Sequence, residues 1–261
     1  MRKLRYFAVM IVCLLFTGTT AMLAARFGEL RREQTVFEKL ARKAEEIREC
    51  KDLSAGTAEK PGEAKEEKQI LAEYEFLYQE NSDLAGWVKI DDTRIDYPVM
   101  STPEEAEFYL HRDFYGKGSY IGTPFIGQGL QSENQVLMIF GHHMRNGTMF
   151  SDLMKYRSVS FWENHHTIQF DTLYEHREYE IFAAGYAPSM SEEERYVAFY
   201  TFAGSDTQTY HTYIQLLKEE ALYETGIWPE GAPLLLLITC SYQEIDGRFF
   251  VAGYLSEEYM A

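Results

Sequence analysis

Three residues of this chain carry a thiol: Cys13, Cys50 and Cys240. Cys13 lies inside an uncharged apolar run with no base beside it. Cys50 ends a charged stretch of helical periodicity and reads as exposed and idle. Cys240 differs, because it closes the run Leu234-Leu235-Leu236-Leu237-Ile238-Thr239. A strand this apolar is expected to be buried on both faces. A thiol at its mouth sits on a rigid element where the chain emerges, which is a good place to hold a nucleophile. The competing reading is a buried structural cysteine, since free cysteine is among the most buried residue types. An odd, sparse set of cysteines argues against a disulfide framework.

A thiol nucleophile needs an acid or base partner and a group to hold developing negative charge. After Cys240 the segment SYQEIDG contains Asp246-Gly247, a turn signal, and strand texture resumes at Arg248-Phe249-Phe250-Val251. A hairpin of this length returns Arg248 to the neighbourhood of Cys240. An arginine there could hold a carbonyl or an oxyanion, or favour the thiolate; the plain alternative is an ordinary edge-strand arginine. Seven histidines are available, among them the adjacent pairs His142-His143 and His165-His166. Neighbours on a strand face opposite sides, so neither pair makes a metal site by itself. No CxxC or HExxH spacing occurs, and zinc has no support. Most of the histidines read as solvated surface residues. The pair at 142–143 stands out because it follows QVLMIFG, another buried-looking strand, and precedes the loop MRNGTMF. Periodicity does not choose between His142 and His143.

The elements that must position these groups are mostly strands. From Asn81 onward, short runs rich in Val, Ile, Tyr and Phe alternate with Gly, Asp, Asn and Pro. GWVKI, TRIDYPVM, SYIGTPFI, QVLMIF, TIQF, YEIFAAGYA, APLLLLITC and RFFVAGYL predict about eight strands, as in a sandwich or closed barrel. The 19 Tyr and 17 Phe suit pleated surfaces. One helical insert is expected at 206–224, before the cysteine strand.

Ahead of the strands, residues 6–25 hold no charge, and about 20 apolar residues suffice to cross a bilayer as a helix. Arg2, Lys3 and Arg5 precede the run and place the N-terminus in the cytoplasm by the positive-inside rule; Arg26, Arg31 and Arg32 follow it and weaken that argument. A cleaved signal peptide is the alternative. Next come a charged helix with Phe37, Leu40, Ala44 and Ile47 on one face, a linker near 51–64 containing Gly and Pro, and a second helix with Ile70, Leu71, Tyr74, Leu77 and Tyr78 on one face. The pair reads equally as a stalk or as surface helices of the main domain. The expected organisation is a tail (1–5), an anchor (6–25), a helical stalk (26–80) and a barrel (81–261). A net charge of -16 repels a phosphate backbone and excludes nucleic acid as a partner.

At this point the sequence resembles the class B sortases of Gram-positive bacteria. FGHHMRNGTMFSDL (140–153) is similar to that family's segment around its catalytic histidine, where the histidine directly follows the glycine; this selects His142. LLITC (236–240) is similar to its strand ending in Thr-Cys and selects Cys240. GRFFV puts Arg248 at the family's arginine position, and NSDLAGWVKIDDTRIDYPVM (81–100), YLHRDF and GTPFI look like its barrel. The likeness runs in order from about Asn81 to Leu255. Departures are His143 in place of the common Asn, Leu236 for the Thr of a TLxTC pattern, and Gly127 where an acidic residue is frequent; none is a catalytic group.

The resemblance implies an eight-stranded sortase-type barrel with a helix inserted before the cysteine strand, and a membrane-anchored, outward-facing cysteine transpeptidase. In that reading Cys240 attacks the Thr carbonyl of an NPxT[GN]-type sorting motif on a surface protein. Arg248 holds the oxyanion, His142 protonates the leaving amine, and a peptidoglycan amine resolves the thioester. Class A enzymes commonly use calcium and class B ones do not, so no metal and no cofactor are expected. The rival readings are an L,D-transpeptidase, whose cysteine normally follows Ser-x-Gly, a catalytically inactive wall-binding scaffold on the same barrel, and a pilin-polymerising sortase.

Overall fold

The structure is a computed structural model that describes residues 2–55, 69–127, 136–202, 207–240 and 247–256. From residue 56 onward the expected linker lies outside the described residues, and so does Asp246 of the expected turn. Among the described residues eight strands close into one barrel. They are β1 (Leu84–Lys89), β2 (Asp96–Met100), β3 (Phe125–Ile126), β4 (Val136–Gly141), β5 (Thr167–Thr172), β6 (Glu178–Ala187), β7 (Leu234–Cys240) and β8 (Arg248–Leu255). Around the barrel the order is β1-β2-β3-β4-β7-β8-β6-β5, and β1 pairs with β5 to close it. Closure removes the free strand edges an open sheet would expose.

Each of the eight expected runs contains a strand. SYIGTPFI delivers only β3, because Gly122 turns into the left-handed region at φ +64 and Pro124, lacking an N–H, follows it. Two strand pairs are parallel, β2 with β3 and β4 with β7; the others are antiparallel. Parallel neighbours need long crossovers, and that between β4 and β7 carries most of the helices. These are a 3₁₀ turn at Phe150–Arg157, α3 (Val159–Asn164), α4 (Glu193–Tyr200) and α5 (Thr207–Glu219). The expected insert at 206–224 corresponds to α5, which buries Tyr210, Tyr213, Ile214 and Leu217 at helical spacing. The helix α4 was not anticipated. Residues 234–239 of β7 are buried without exception, as a strand covered on both faces should be.

At the N-terminal end, α1 (Arg2–Ala55) is one continuous helix of 54 residues, about 80 Å long at 1.5 Å per residue. Its first part is apolar and exposed, and it is long enough to cross a membrane. Its second part lies on the barrel: Phe37, Leu40 and Ala44 are buried in the same core as Val99 and Tyr97, and Phe37 meets the Tyr97 ring edge-on at 5.5 Å. Each large apolar side chain so buried contributes about 1.5–3 kcal/mol. The helix α2 (Ala72–Glu80) adds Tyr74, stacked on Trp87 at 6.1 Å, and Leu77. Both helices therefore serve as surface helices of the barrel, whatever else α1 does beyond it.

Polar contacts reinforce the docking. Arg48 of α1 reaches Glu73 of α2 at 3.2 Å and Asp171 of β5 at 2.7 Å. Tyr74 donates its hydroxyl to the same Asp171 oxygen at 2.5 Å, and His176 lies 3.0 Å from it. His176, expected on the solvated surface, thus belongs to an interhelical charge network.

Candidate active site

The site follows from the register of β4, β7 and β8. Cys240 and Arg248 are cross-strand partners, the last pair on the β7–β8 ladder. This delivers the adjacency that the sequence predicted from a hairpin. On the other flank of β7, the parallel ladder with β4 ends at Gly141 paired with Thr239. One residue beyond that pair on each strand come His142 and Cys240. Thr239, itself buried, donates its hydroxyl to the Gly141 carbonyl at 2.8 Å and ties the two strand mouths together. Cys240 is the half-buried thiol, whereas Cys13 and Cys50 are exposed.

His142, Cys240 and Arg248 all line one cleft of about 710 Å³. Phe125, Met138, Phe140 and Ile238 give it an apolar floor, Glu104, Glu105 and Glu107 an acidic rim, and Met190, Tyr196 and Tyr200 a wall on the α4 side. Phe125 stacks on Phe140 at 5.8 Å, and Phe140 on Tyr200 at 6.4 Å. A second cavity of about 450 Å³, between α1 and the barrel, contains no thiol.

The two histidines part company here, as alternation on an extended chain requires. His142 faces the cleft, and its Nε2 lies 2.8 Å from the Leu110 carbonyl oxygen. A carbonyl only accepts, so Nε2 carries the hydrogen and Nδ1 is the nitrogen free to take or give a proton. The His111 ring stacks on His142 at 5.4 Å. Burial pushes the His142 pKa down, the Leu110 carbonyl opposes this, and the charges of His111 and Arg248 push it down further. His142 is therefore mostly neutral at pH 7. His143 does not line the cleft; its Nδ1 lies 3.1 Å from the backbone carbonyl of Cys240.

The Leu110 carbonyl is held by the chain that passes over it. A side chain at Gly122, whose φ is +64, would place its Cβ 2.3 Å from that oxygen. Ser119 shapes the same bend, accepting from the N–H groups of Ile121 and Gly122 while its own N–H donates to the His111 carbonyl. Ser119 also meets Glu33 of α1, whose carboxyl pKa is raised chiefly by burial.

A sortase domain model matches residues 88–256, more than half of the chain. The chain belongs to the sortase family. Sortase B of Listeria monocytogenes is 28% identical over 196 residues, covering 72% of this chain and 75% of that protein. Sortase B of Staphylococcus aureus is 31% identical over 123 residues, 46% of this chain and 50% of that one. In fold, the chain is similar to the S. aureus sortase B–substrate complex, with a TM-score of 0.70 at 23% identity over 87% of this chain and 98% of that one. It is also similar to Clostridium perfringens sortase B, with a TM-score of 0.64 at 24% identity over 70% and 98%. The family model and the relatives place it among the class B sortases, which are cysteine transpeptidases. This removes the L,D-transpeptidase alternative.

Sequence reasoning missed three features of the site. Leu110 acts through a backbone carbonyl that any residue supplies. Thr239 reads in the sequence as the residue before Cys240 at the end of an apolar strand, with no partner assigned to its hydroxyl. Tyr200 sits on α4, where the spacing of Tyr196, Phe199 and Tyr200 is the one helical signal, too brief to stand out from the surrounding aromatic, strand-like texture. Among the described residues no group of three His, Cys, Asp or Glu is placed to hold a metal ion.

Proposed function

We propose that this sortase cleaves an NPxT[GN]-type sorting motif of a surface protein at the Thr carbonyl and passes the protein, through a thioester on Cys240, to a peptidoglycan amine. The observation that carries this reading is the convergence of Cys240, Arg248 and His142 on one cleft from three neighbouring strands. Cys240 gives its thiol proton to Nδ1 of His142 and, as thiolate, adds to the carbonyl carbon, while the carbonyl electron pair moves to oxygen. Arg248, a fixed guanidinium one ladder step from the sulfur, faces that charge. Collapse restores the carbonyl and breaks the C–N bond, and Nδ1–H of His142 protonates the departing amine. The acceptor amine reverses the sequence, with His142 taking its proton. Where water replaces the amine, the same site acts as a thiol protease.

The same reading assigns residues 81–261 to the catalytic barrel and 26–80 to a helical stalk that also packs on it. Residues 6–25 are the membrane anchor and 1–5 a cytoplasmic tail, with the barrel outside the cell. It assigns no metal or cofactor a part in the reaction.

A quenched peptide of NPxTG type, offered to the detergent-solubilised full chain, tests the reaction. Wild type cuts between Thr and Gly. Cys240→Ala gives no product, His142→Ala loses turnover, and His143→Ala keeps it. Turnover by Cys240→Ala would remove Cys240 as nucleophile, and loss in His143→Ala with retention in His142→Ala would exchange the two histidines.

A further inference from the structure

The cleft contains a polar group that the mechanism above leaves unused. Tyr200, the last residue of α4, is held by its ring: it stacks on Phe140 at 6.4 Å, lies 4.6 Å from Tyr196 and 4.9 Å from Phe199. Phe140 is two residues before His142 on β4, so the ring is fixed against the strand that delivers the histidine. The Tyr200 hydroxyl is buried and makes no hydrogen bond. A buried hydroxyl without a partner is destabilising, and such groups in a folded protein call for an explanation. Tyr186 and Tyr223 also have buried, unbonded hydroxyls, but neither lines the cleft. Tyr200 lines it together with Cys240 and Arg248 and feels the charge of both. Burial raises its pKa, Arg248 pulls against the rise, and Tyr196 and then Cys240 add to it, so it is a protonated donor throughout the neutral range.

We propose that Tyr200 is a catalytic residue whose hydroxyl donates a hydrogen bond to the acyl oxygen as that oxygen becomes an oxyanion, from the α4 wall of the cleft where its ring stacks on Phe140 of β4. The hydroxyl, covered in this structure, then meets its acceptor once the bound peptide displaces the side chains over it. A donor held in place before the reaction loses nothing to reorganisation when charge develops, which is why such groups contribute strongly. The hydroxyl gains most in the tetrahedral state, where the oxygen carries full charge, so its effect falls on kcat more than on KM.

This rests on Cys240 being the acylated residue, and the test separates the two ideas. The full chain in detergent, with Cys13→Ser and Cys50→Ser so that Cys240 alone reports, is offered two small reagents. p-Nitrophenyl acetate acylates the thiolate: an S–C bond forms, an oxyanion appears and collapses, and p-nitrophenolate leaves. Iodoacetamide alkylates the same thiolate by displacing iodide, with no oxyanion. Tyr200→Phe keeps the ring and removes the donor. The expected result is an acylation burst slowed about a hundredfold, the loss typical of one oxyanion donor, with unchanged alkylation and a thermal midpoint equal to or above wild type. With the NPxTG peptide the same variant loses kcat with KM nearly kept. Equal slowing of acylation and alkylation would make Tyr200 a modulator of the thiol and overturn the proposal, as would unchanged acylation or a lowered thermal midpoint with both rates reduced. Wild type that is acylated by the ester but cuts no NPxTG peptide overturns the sorting-motif reading alone. Wild type inert to the ester overturns both.

Discussion

At the scale of single residues, the site depends on a backbone carbonyl and on the glycine that gives it room. Leu110 O fixes which nitrogen of His142 titrates, and Gly122 passes so close that a Cβ would lie 2.3 Å from that oxygen. Gly122→Ala must displace the carbonyl, and it also holds an L-residue at positive φ, which costs about 1–2 kcal/mol. Gly116 is the control: its φ is +73, yet the nearest atom to a built Cβ is 3.9 Å away. Gly116→Ala pays the backbone cost alone. Both variants should lose stability, but only Gly122→Ala should lose about tenfold or more in kcat/KM, the worth of one hydrogen bond to a charged group. Because the Leu110 bond raises the His142 pKa, its loss lowers that pKa further, and the alkaline limb of the rate profile, where His142 loses the proton it must give to the leaving amine, should move to lower pH in Gly122→Ala. pH–rate profiles of the two alanine variants, read beside their melting curves, check this; matching profiles would mean that Leu110 does not set the state of His142. Alternation showed from sequence that His142 and His143 face opposite ways. It could not show which way is inward, because that is set by the ladder of β4 on β7, a partner 98 residues distant in the Gly141–Thr239 contact.

At the scale of elements, strands with continuous or alternating apolar pattern were legible, and so was the amphipathic α5. What failed to show was set by contacts between distant segments. The strand expected over SYIGTPFI shrinks to two residues because Gly122 bends the chain over Leu110, and α4 is too short and too rich in aromatic residues for its period to stand out from strand texture. The docking of α1 was legible only as an apolar stripe. Its polar half, Arg48 with Glu73, Tyr74, Asp171 and His176, joins three elements and has no local signature. The network predicts a pH-dependent response to losing Arg48. Hydrogen bonding to Asp171 raises the His176 pKa, and Arg48 opposes the rise. A raised histidine contributes stability that is complete below its unfolded value near 6.5 and is lost as pH climbs through the folded value. In Arg48→Met the folded value rises further, and protonated His176 becomes the only cation of this network facing two largely buried carboxylates. The variant should lose about 2–3 kcal/mol at pH 8, where an uncompensated buried charge remains, and clearly less at pH 6. Urea unfolding followed by the fluorescence of Trp87, which stacks on Tyr74, measures it. An equal loss at both pH values would show that His176 does not share the charge of Asp171 and Glu73.

At the scale of the whole molecule, the uninterrupted helix α1 couples the barrel to the apolar segment that precedes it. Between Ala25, the end of the uncharged run, and Phe37, the first buried docking residue, lie 12 helical steps, or about 18 Å of rise. With residues 6–25 as the proposed anchor, a barrel carried at that height on a helix rather than on a coil would stand at a set distance from the bilayer. That would suit the proposed meeting of a wall precursor and the end of a surface protein in one cleft. Orientation is less constrained by charge than height is by geometry, since Arg2, Lys3 and Arg5 on one side are matched by Arg26, Arg31 and Arg32 on the other. The proposed function supplies the other argument, because a transpeptidase that uses a peptidoglycan amine needs its barrel on the side of the membrane where that amine is. In sealed right-side-out vesicles, protease should therefore strip every residue of the barrel while an N-terminal epitope survives on a short protected fragment containing residues 6–25. In inverted vesicles the barrel should survive intact and the N-terminal epitope be lost. A barrel protected in right-side-out vesicles would reverse the topology. Loss of the N-terminal epitope from both preparations, with the barrel released from the membrane, would instead identify the apolar run as a cleaved leader.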